Sequence, residues 1–143
     1  LGLRTLAPQA RVFVELSDGE MQEGSTWEAA MSGPHFRLDN LLALIDCNGI
    51  QADGAVVLDM EPVAEKWAAF GWDVQEIYGN SIPAILTAFD AARARNGKPK
   101  AIVLRTTPGR GVRTLEAREK AHFIRVEASE WDLFERELET SDD

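Results

Sequence analysis

LLALIDCNG, residues Leu41 to Gly49, carries five apolar side chains in a row before its first polar one. A strand with one wet face alternates apolar and polar residues. An unbroken run of this length implies a strand covered on both faces, as in a parallel sheet. Asp46, Asn48 and Gly49 then close it in turn chemistry. A strand of that kind needs parallel neighbours beside it and helices above and below.

Upstream, Val12 to Leu16 is a strand rich in β-branched and aromatic residues. Downstream, Trp72 to Tyr78 alternates as a strand, and Ala101 to Thr107 forms a fourth. Helices fall between them. Ser25 or Thr26 caps one that begins near Trp27 and ends around Ser32-Gly33-Pro34. Pro62 opens a second, running to Phe70 before Gly71. Ser81 caps a third, from Ile82 to about Asn96, with Ile85, Leu86, Phe89 and Ala92 on one face and Gly97 behind it. After the loop PGRGV, Ser129 caps a short last helix, Glu130 to about Leu138. Strands and helices in alternation predict an α/β fold: a doubly wound, mostly parallel sheet with helices on both faces.

The 143 residues fit a single domain or a large part of one. A net charge of -9 excludes non-specific nucleic-acid binding, since a phosphate backbone must be met by Lys and Arg. An anionic ligand would need a local answer, either a metal ion or a helix N-terminus. The single Cys47 excludes an internal disulfide and a cysteine zinc site, and fits a reducing, cytoplasmic setting. No stretch approaches the roughly 20 apolar residues of a membrane span. The chain opens LGLRTLAPQARVF without Met, and the expectation is a truncated or processed piece of something longer.

In such sheets ligands bind outside the carboxyl ends of the strands. Two of those ends carry Ser17-Asp18-Gly19 and Asp46-Cys47-Asn48, with Asp18 and Asn48 thirty residues apart. If the strands are close, a carboxylate and an amide oxygen converge as a hard-oxygen site of the kind Mg2+ prefers. Gly19 would let the backbone approach a phosphate. The residues alone leave this open, because an Asp-Gly turn and an Asn-Gly turn are the commoner explanation of the same letters.

The wider pattern reaches further. Ser17-Asp18-Gly19 is followed by Glu20-Met21-Gln22-Glu23-Gly24, Trp27-Glu28-Ala29, Leu38-Asp39-Asn40-Leu41 and Asp46-Cys47-Asn48. It continues through Gln51-Ala52-Asp53-Gly54, Ala64-Glu65-Lys66-Trp67, Phe70-Gly71-Trp72, and Thr106 to Val112 with Gly109-Arg110-Gly111. Over roughly residues 1 to 112 this resembles the diphosphate-binding domain of transketolase, a thiamine-diphosphate enzyme, or the N-terminal subunit of a split transketolase. The remainder matches more loosely, so 113–143 is read as a C-terminal extension with a short helix.

The resemblance implies a thiamine-diphosphate-binding fold and the cofactors thiamine diphosphate and Mg2+. It implies Asp18 and Asn48 as side-chain ligands of the metal, Ile50 as a backbone-carbonyl ligand, and the Gly19 N–H on the diphosphate. Asn48 thereby also counts among the cofactor-binding residues. Glu23 would join an acidic cluster between paired cofactor sites at an oligomer interface. His122 would be the histidine that meets diphosphate and substrate. Two departures stand out: Ser17 replaces the first Gly of the family's GDG, and Ala121-His122-Phe123 stands for its Trp-His-Gly. The family's upstream glycine-rich segment and histidines, its pyrimidine-binding domain and the activating glutamate have no counterpart in these residues. A partner domain or C-terminal subunit would supply them, in a homo- or hetero-oligomer acting on sugar phosphates, and the chain alone would be inactive. Two rivals are a different thiamine enzyme (two-oxoacid dehydrogenase or deoxyxylulose-phosphate synthase type) and a non-catalytic assembly module.

Other residues read more plainly. Glu28 is a surface or capping group, His35 a structural loop residue, and Cys47 a small buried hydrophobe. Trp27, Trp67, Trp72 and Trp131 read as core or interface aromatics. Arg110 is either a solvated loop arginine or a phosphate partner.

Overall fold

The computed structural model describes residues 1–52, 54–118 and 125–141. A short helix α1 (Gly2–Leu6) leads into β1 (Val12–Ser17), a 3-10 turn at Gly19–Gln22 and α2 (Gly24–His35). Then come β2 (Leu41–Cys47), a two-residue hairpin of β3 (Ile50–Gln51) and β4 (Gly54–Ala55), and α3 (Val63–Ala69). The chain continues through β5 (Asp73–Tyr78), α4 (Ile82–Ala91), β6 (Lys100–Arg105), α5 (Arg113–Glu116) and α6 (Trp131–Glu139).

The main sheet has the order β1-β2-β6-β5, and every pairing in it is parallel. Ser17 pairs with Asp46, and Cys47 and Tyr78 both pair with Arg105, so the four carboxyl ends lie side by side. Covering both faces explains the apolar run of β2. Ala43, Ile45 and Cys47 join Ala101 and Val103 under α2 and α3, around Ala30, Val63 and Trp67. Leu42 and Ile102 face the other way, under Ala88 and Ala92 at the end of α4.

Helix ends differ from the sequence expectation in α2, α4 and α6, in part through contacts with distant segments. Helix α2 starts at Gly24, so Ser25 and Thr26 lie inside its first turn, and the Thr26 hydroxyl donates to the Glu20 carbonyl at 2.8 Å. It also runs through Pro34 to His35. Pro34 has no N–H for the carbonyl four residues back, at Ala30. The Trp72 indole N–H fills that vacancy at 2.8 Å.

Helix α4 stops at Ala91, five residues before Asn96. Arg11, just ahead of β1, donates to the carbonyls of Ala92 (3.2 Å) and Arg93 (2.7 Å) and satisfies the helix end from outside. Ser81 does cap α4, accepting from Ala84 N–H at 3.4 Å. The last helix begins at Trp131, behind a 3-10 turn in which Glu127 and Glu130 form the capping box and Ser129 does not act. Helix α6 packs back on α5: Glu137 accepts from the Thr114 N–H (3.0 Å) and hydroxyl (2.8 Å), and Phe134 is buried.

Gly33 sits inside α2, where alanine ordinarily gains about 0.5–1 kcal/mol. Here a Cβ would lie 2.9 Å from Trp72 Cζ2. That ring cannot retreat, because its N–H is spent on Ala30 and it packs T-shaped with Trp67, the ring centroids 4.7 Å apart. Overpacking outweighs propensity, and Gly33→Ala is expected to destabilise the fold by about 1–3 kcal/mol in urea unfolding. A variant as stable as wild type would contradict this packing.

Candidate functional site at the carboxyl ends of β1 and β2

Asp18 is 6% exposed. A carboxylate taken from water must be given donors. Its Oδ1 accepts from the Gly19 N–H at 2.8 Å and its Oδ2 from the Gly49 N–H at 2.6 Å, so one side chain ties the turn after β1 to the turn after β2. Its own N–H donates to the Asp46 carbonyl at 2.9 Å, carrying the parallel pairing one step beyond the strand. Gly49 has φ +75, which favours glycine. A Cβ on Gly19 would stand 3.1 Å from Gln51 Cβ, so the first turn and the β3 hairpin are already in close contact.

The Asn48 carboxamide oxygen accepts from the Ile50 N–H at 2.8 Å, and its nitrogen donates to Asp46 Oδ2 at 2.9 Å. Asp46 Oδ1 accepts from the Thr106 hydroxyl at the end of β6. Asp18, Gly19, Asn48 and Ile50, singled out in the sequence, therefore meet at one junction. It borders three open clefts. One of about 390 Å³ is lined by Asp18, Cys47, Gly49, Met60, Glu61 and Arg105. A second, about 300 Å³, takes in Gly19, Gln22, Glu23, Ile50 and Gln51. The third, about 540 Å³, lies over Asp46, Asn48, Asn80, Thr106 and Arg110.

The donor set suits a hard cation. Each Asp18 oxygen and the Asn48 oxygen holds one N–H and keeps a second lone pair. Among the described residues no three His, Cys, Asp or Glu side chains cluster as a metal cage. A cation here would take one carboxylate, one amide, a backbone carbonyl, and oxygens from its ligand and from water, which is how Mg2+ is usually held. The Gly19 N–H is directed at Asp18 Oδ1.

Other residues fall around this junction or away from it. Glu23 is exposed at the N-cap of α2. His122 lies outside the described residues. His35 is exposed at the end of α2 that feeds β2, the end of the sheet opposite the junction, with its ring edge-on to Phe36 at 4.8 Å. Glu28 is exposed. Trp67 and Trp72 are buried, whereas Trp131 is exposed. Arg110 is held rather than free: it lies 5.9 Å from the Tyr78 ring centroid and 3.6 Å from Glu116.

Sequence reasoning missed two contacts. The Asp46–Thr106 link had as its only signal the place of the two residues at the carboxyl ends of neighbouring strands, Asp46 near the end of β2 and Thr106 just past β6. The second is Arg105, whose guanidinium grips both oxygens of Glu61 and reaches Glu76 at 3.1 Å. The Arg105 hydrogen bond holds the Glu61 carboxyl below its ordinary range.

Residues 7–141 match the family described as transketolase, thiamine diphosphate binding domain. The chain is similar to an uncharacterised transketolase family protein of Sinorhizobium fredii, with 49% identity over 92% of this chain and 48% of that one. It is also similar to one of the subunits of the apulose-4-phosphate transketolase of Phocaeicola vulgatus, with 38% identity over 90% of this chain and 46% of the relative. The chain thus spans about half the length of the curated relatives it matches. Among solved structures, transketolase from Campylobacter jejuni superposes with a TM-score of 0.69 at 30% identity, over 75% of this chain and 17% of that one.

Burial pushes the Cys47 thiol up to about 12, with Arg105 offsetting part of the effect. At pH 8 it is protonated as well as buried, and the thiolate is the reactive form. Modification by a thiol reagent at pH 8 is expected to be slow in the folded protein and to become fast only in urea. Rapid stoichiometric labelling of the folded chain would show that Cys47 is reached from the cleft.

Proposed function

The chain belongs to the transketolase family through its thiamine diphosphate binding domain, and from that premise we propose that the Asp18–Asn48 junction holds Mg2+ and the diphosphate of the cofactor. The observation that carries this reading is the pair of Asp18 hydrogen bonds, which joins two strand-end turns around oxygen donors with lone pairs to spare. Asp18 and Asn48 would bind the cation through side chains and Ile50 through its carbonyl; the Gly19 N–H, which holds Asp18 Oδ1 in this structure, would pass to the diphosphate as the cation takes over that oxygen. A bound cation and oriented N–H groups neutralise a dianion locally, so a net charge of -9 is no obstacle. Thiamine diphosphate supplies the thiazolium carbon at which a two-carbon ketol unit passes from a ketose phosphate to an aldose phosphate.

In the same proposal residues 1–143 form a single, partial diphosphate-binding domain with 113–143 as its extension. Glu23 belongs to the acidic cluster of an oligomer interface, and His122 meets diphosphate and substrate. A pyrimidine-binding domain or C-terminal subunit completes the site, in keeping with a relative named as one subunit of its enzyme. Exposed apolar side chains at Leu6, Phe13, Ile82 and Leu86 give such a partner something to cover. No helix among the described residues is long and apolar enough to cross a membrane, and a lone buried thiol suits the cytoplasmic location we propose.

Titration calorimetry with thiamine diphosphate is expected to show binding that requires Mg2+ and is abolished in Asp18→Ala, with circular dichroism checking that the variant folds. Binding without metal, or undiminished in the variant, would remove this assignment. The 143-residue chain alone is expected to give no ketol transfer in a coupled sugar-phosphate assay. Turnover by the purified chain would show that no partner is needed.

A further inference from the structure

We propose that Asp46 is a positioning residue for this site, which together with Thr106 locks the Asn48 carboxamide so that its oxygen, and not its nitrogen, is presented to the cation. The proposal rests on the reading of Asn48 as a metal ligand. The two ends of an asparagine amide are alike in shape and opposite in function, since one donates and the other accepts. A ligand asparagine must be kept from turning its NH2 toward the metal. Two independent contacts do so here. Asn48 Nδ2 donates to Asp46 Oδ2 at 2.9 Å, so the nitrogen faces Asp46. On the other side the Ile50 N–H donates to Asn48 Oδ1 at 2.8 Å.

Asp46 is itself held. Its Oδ1 accepts from the Thr106 hydroxyl at the end of β6, and its backbone carbonyl accepts from the Asp18 N–H at 2.9 Å. Three strand ends therefore converge on this residue. Both side-chain ligands of the proposed cation attach to it, Asp18 through the main chain and Asn48 through the side chain. Groups that orient a metal ligand from behind typically change metal affinity about 10- to 100-fold when removed.

Two simpler roles make different predictions. If Asp46 acts only through its negative charge, Asp46→Asn and Asp46→Ala weaken the metal site alike. If it only braces the fold, both lower the melting temperature and leave affinity untouched. In the positioning role they separate. Asn at 46 can accept from Asn48 through its oxygen and donate to the Thr106 hydroxyl, which also accepts, so the lock survives; Ala leaves nothing in its place.

The test titrates Mn2+, a paramagnetic substitute for Mg2+, into the full chain with thiamine diphosphate present and follows water-proton relaxation. Asp46→Ala is expected to weaken Mn2+ binding about tenfold or more, Asp46→Asn to stay near wild type, Thr106→Val to weaken it less, and Asn48→Ala to fall at least as far as Asp46→Ala. Wild-type affinity in Asp46→Ala, beside a weakened Asn48→Ala, overturns the positioning role and leaves Asn48 a ligand. Equal losses in Asp46→Ala and Asp46→Asn overturn it in favour of charge. A silent wild-type chain, or an Asn48→Ala variant that binds normally, removes the ligand reading and this proposal with it. Should Asp46→Ala fail to fold by circular dichroism, Thr106→Val at wild-type affinity overturns the proposal.

Discussion

The buried carboxylate of Asp18 is the interaction on which the site depends. Stripped of water and left alone, such a charge would cost several kcal/mol. The fold supplies two backbone N–H groups, from Gly19 and Gly49. Hydrogen bonds to a charged group contribute about 1.5–3 kcal/mol each when made. The same bonds set the distance between two loops that no strand pairing reaches. Asp18 can do this only because Ser17 stands opposite Asp46 in the sheet. A slip of one residue in that register would turn its side chain to the other face.

Small residues let the layers above the sheet come close enough to keep that register. Ala43 and Ala101 are fully buried between strands and helices, and Gly33 brings α2 against the Trp72 ring. Pro34 then becomes useful instead of disruptive: the carbonyl it leaves unpaired is the one the Trp72 indole needs. Arg11 plays a matching part on the other face, finishing α4 from a position next to β1. Both are contacts between segments far apart in sequence, and each satisfies a helix carbonyl that the helix cannot serve itself.

That distance separates what was legible in the sequence from what was not. The strands of the main sheet followed from apolar runs and, for β5, from alternation, and the two-sided burial of β2 followed from its unbroken run; all of these depend on near neighbours. Asp18, Gly19, Asn48 and Ile50 were legible through a family resemblance spread over many positions, and the structure brings those four together. Helix ends were harder. Nothing near Ala91 announces that Arg11 will cap its helix, and Ser25 looks like a cap until the 3-10 turn at Gly19–Gln22 moves the start of α2 upstream. The Arg105–Glu61–Glu76 group and the Asp46–Thr106 link were invisible for the same reason. Each joins residues whose proximity comes from the strand order, and composition carries no trace of that order.

The strand order also governs how this chain can be made. Strand β6 lies between β2 and β5, yet it is the last of the four to be synthesised. At any nascent length short of residue 100, β5 has no neighbour to pair with, and Leu42 and Leu44 lack the Ile102 and Leu104 side chains that pack beside them. The sheet therefore closes from its middle, in a late step that brings together β2 and a strand starting at Lys100. Pairings of such long range tend to be slow, because the loop entropy must be lost before the contacts form. While it waits on the ribosome, the emerging chain holds one finished strand pair and a set of uncovered apolar strands, the condition in which a chaperone matters most.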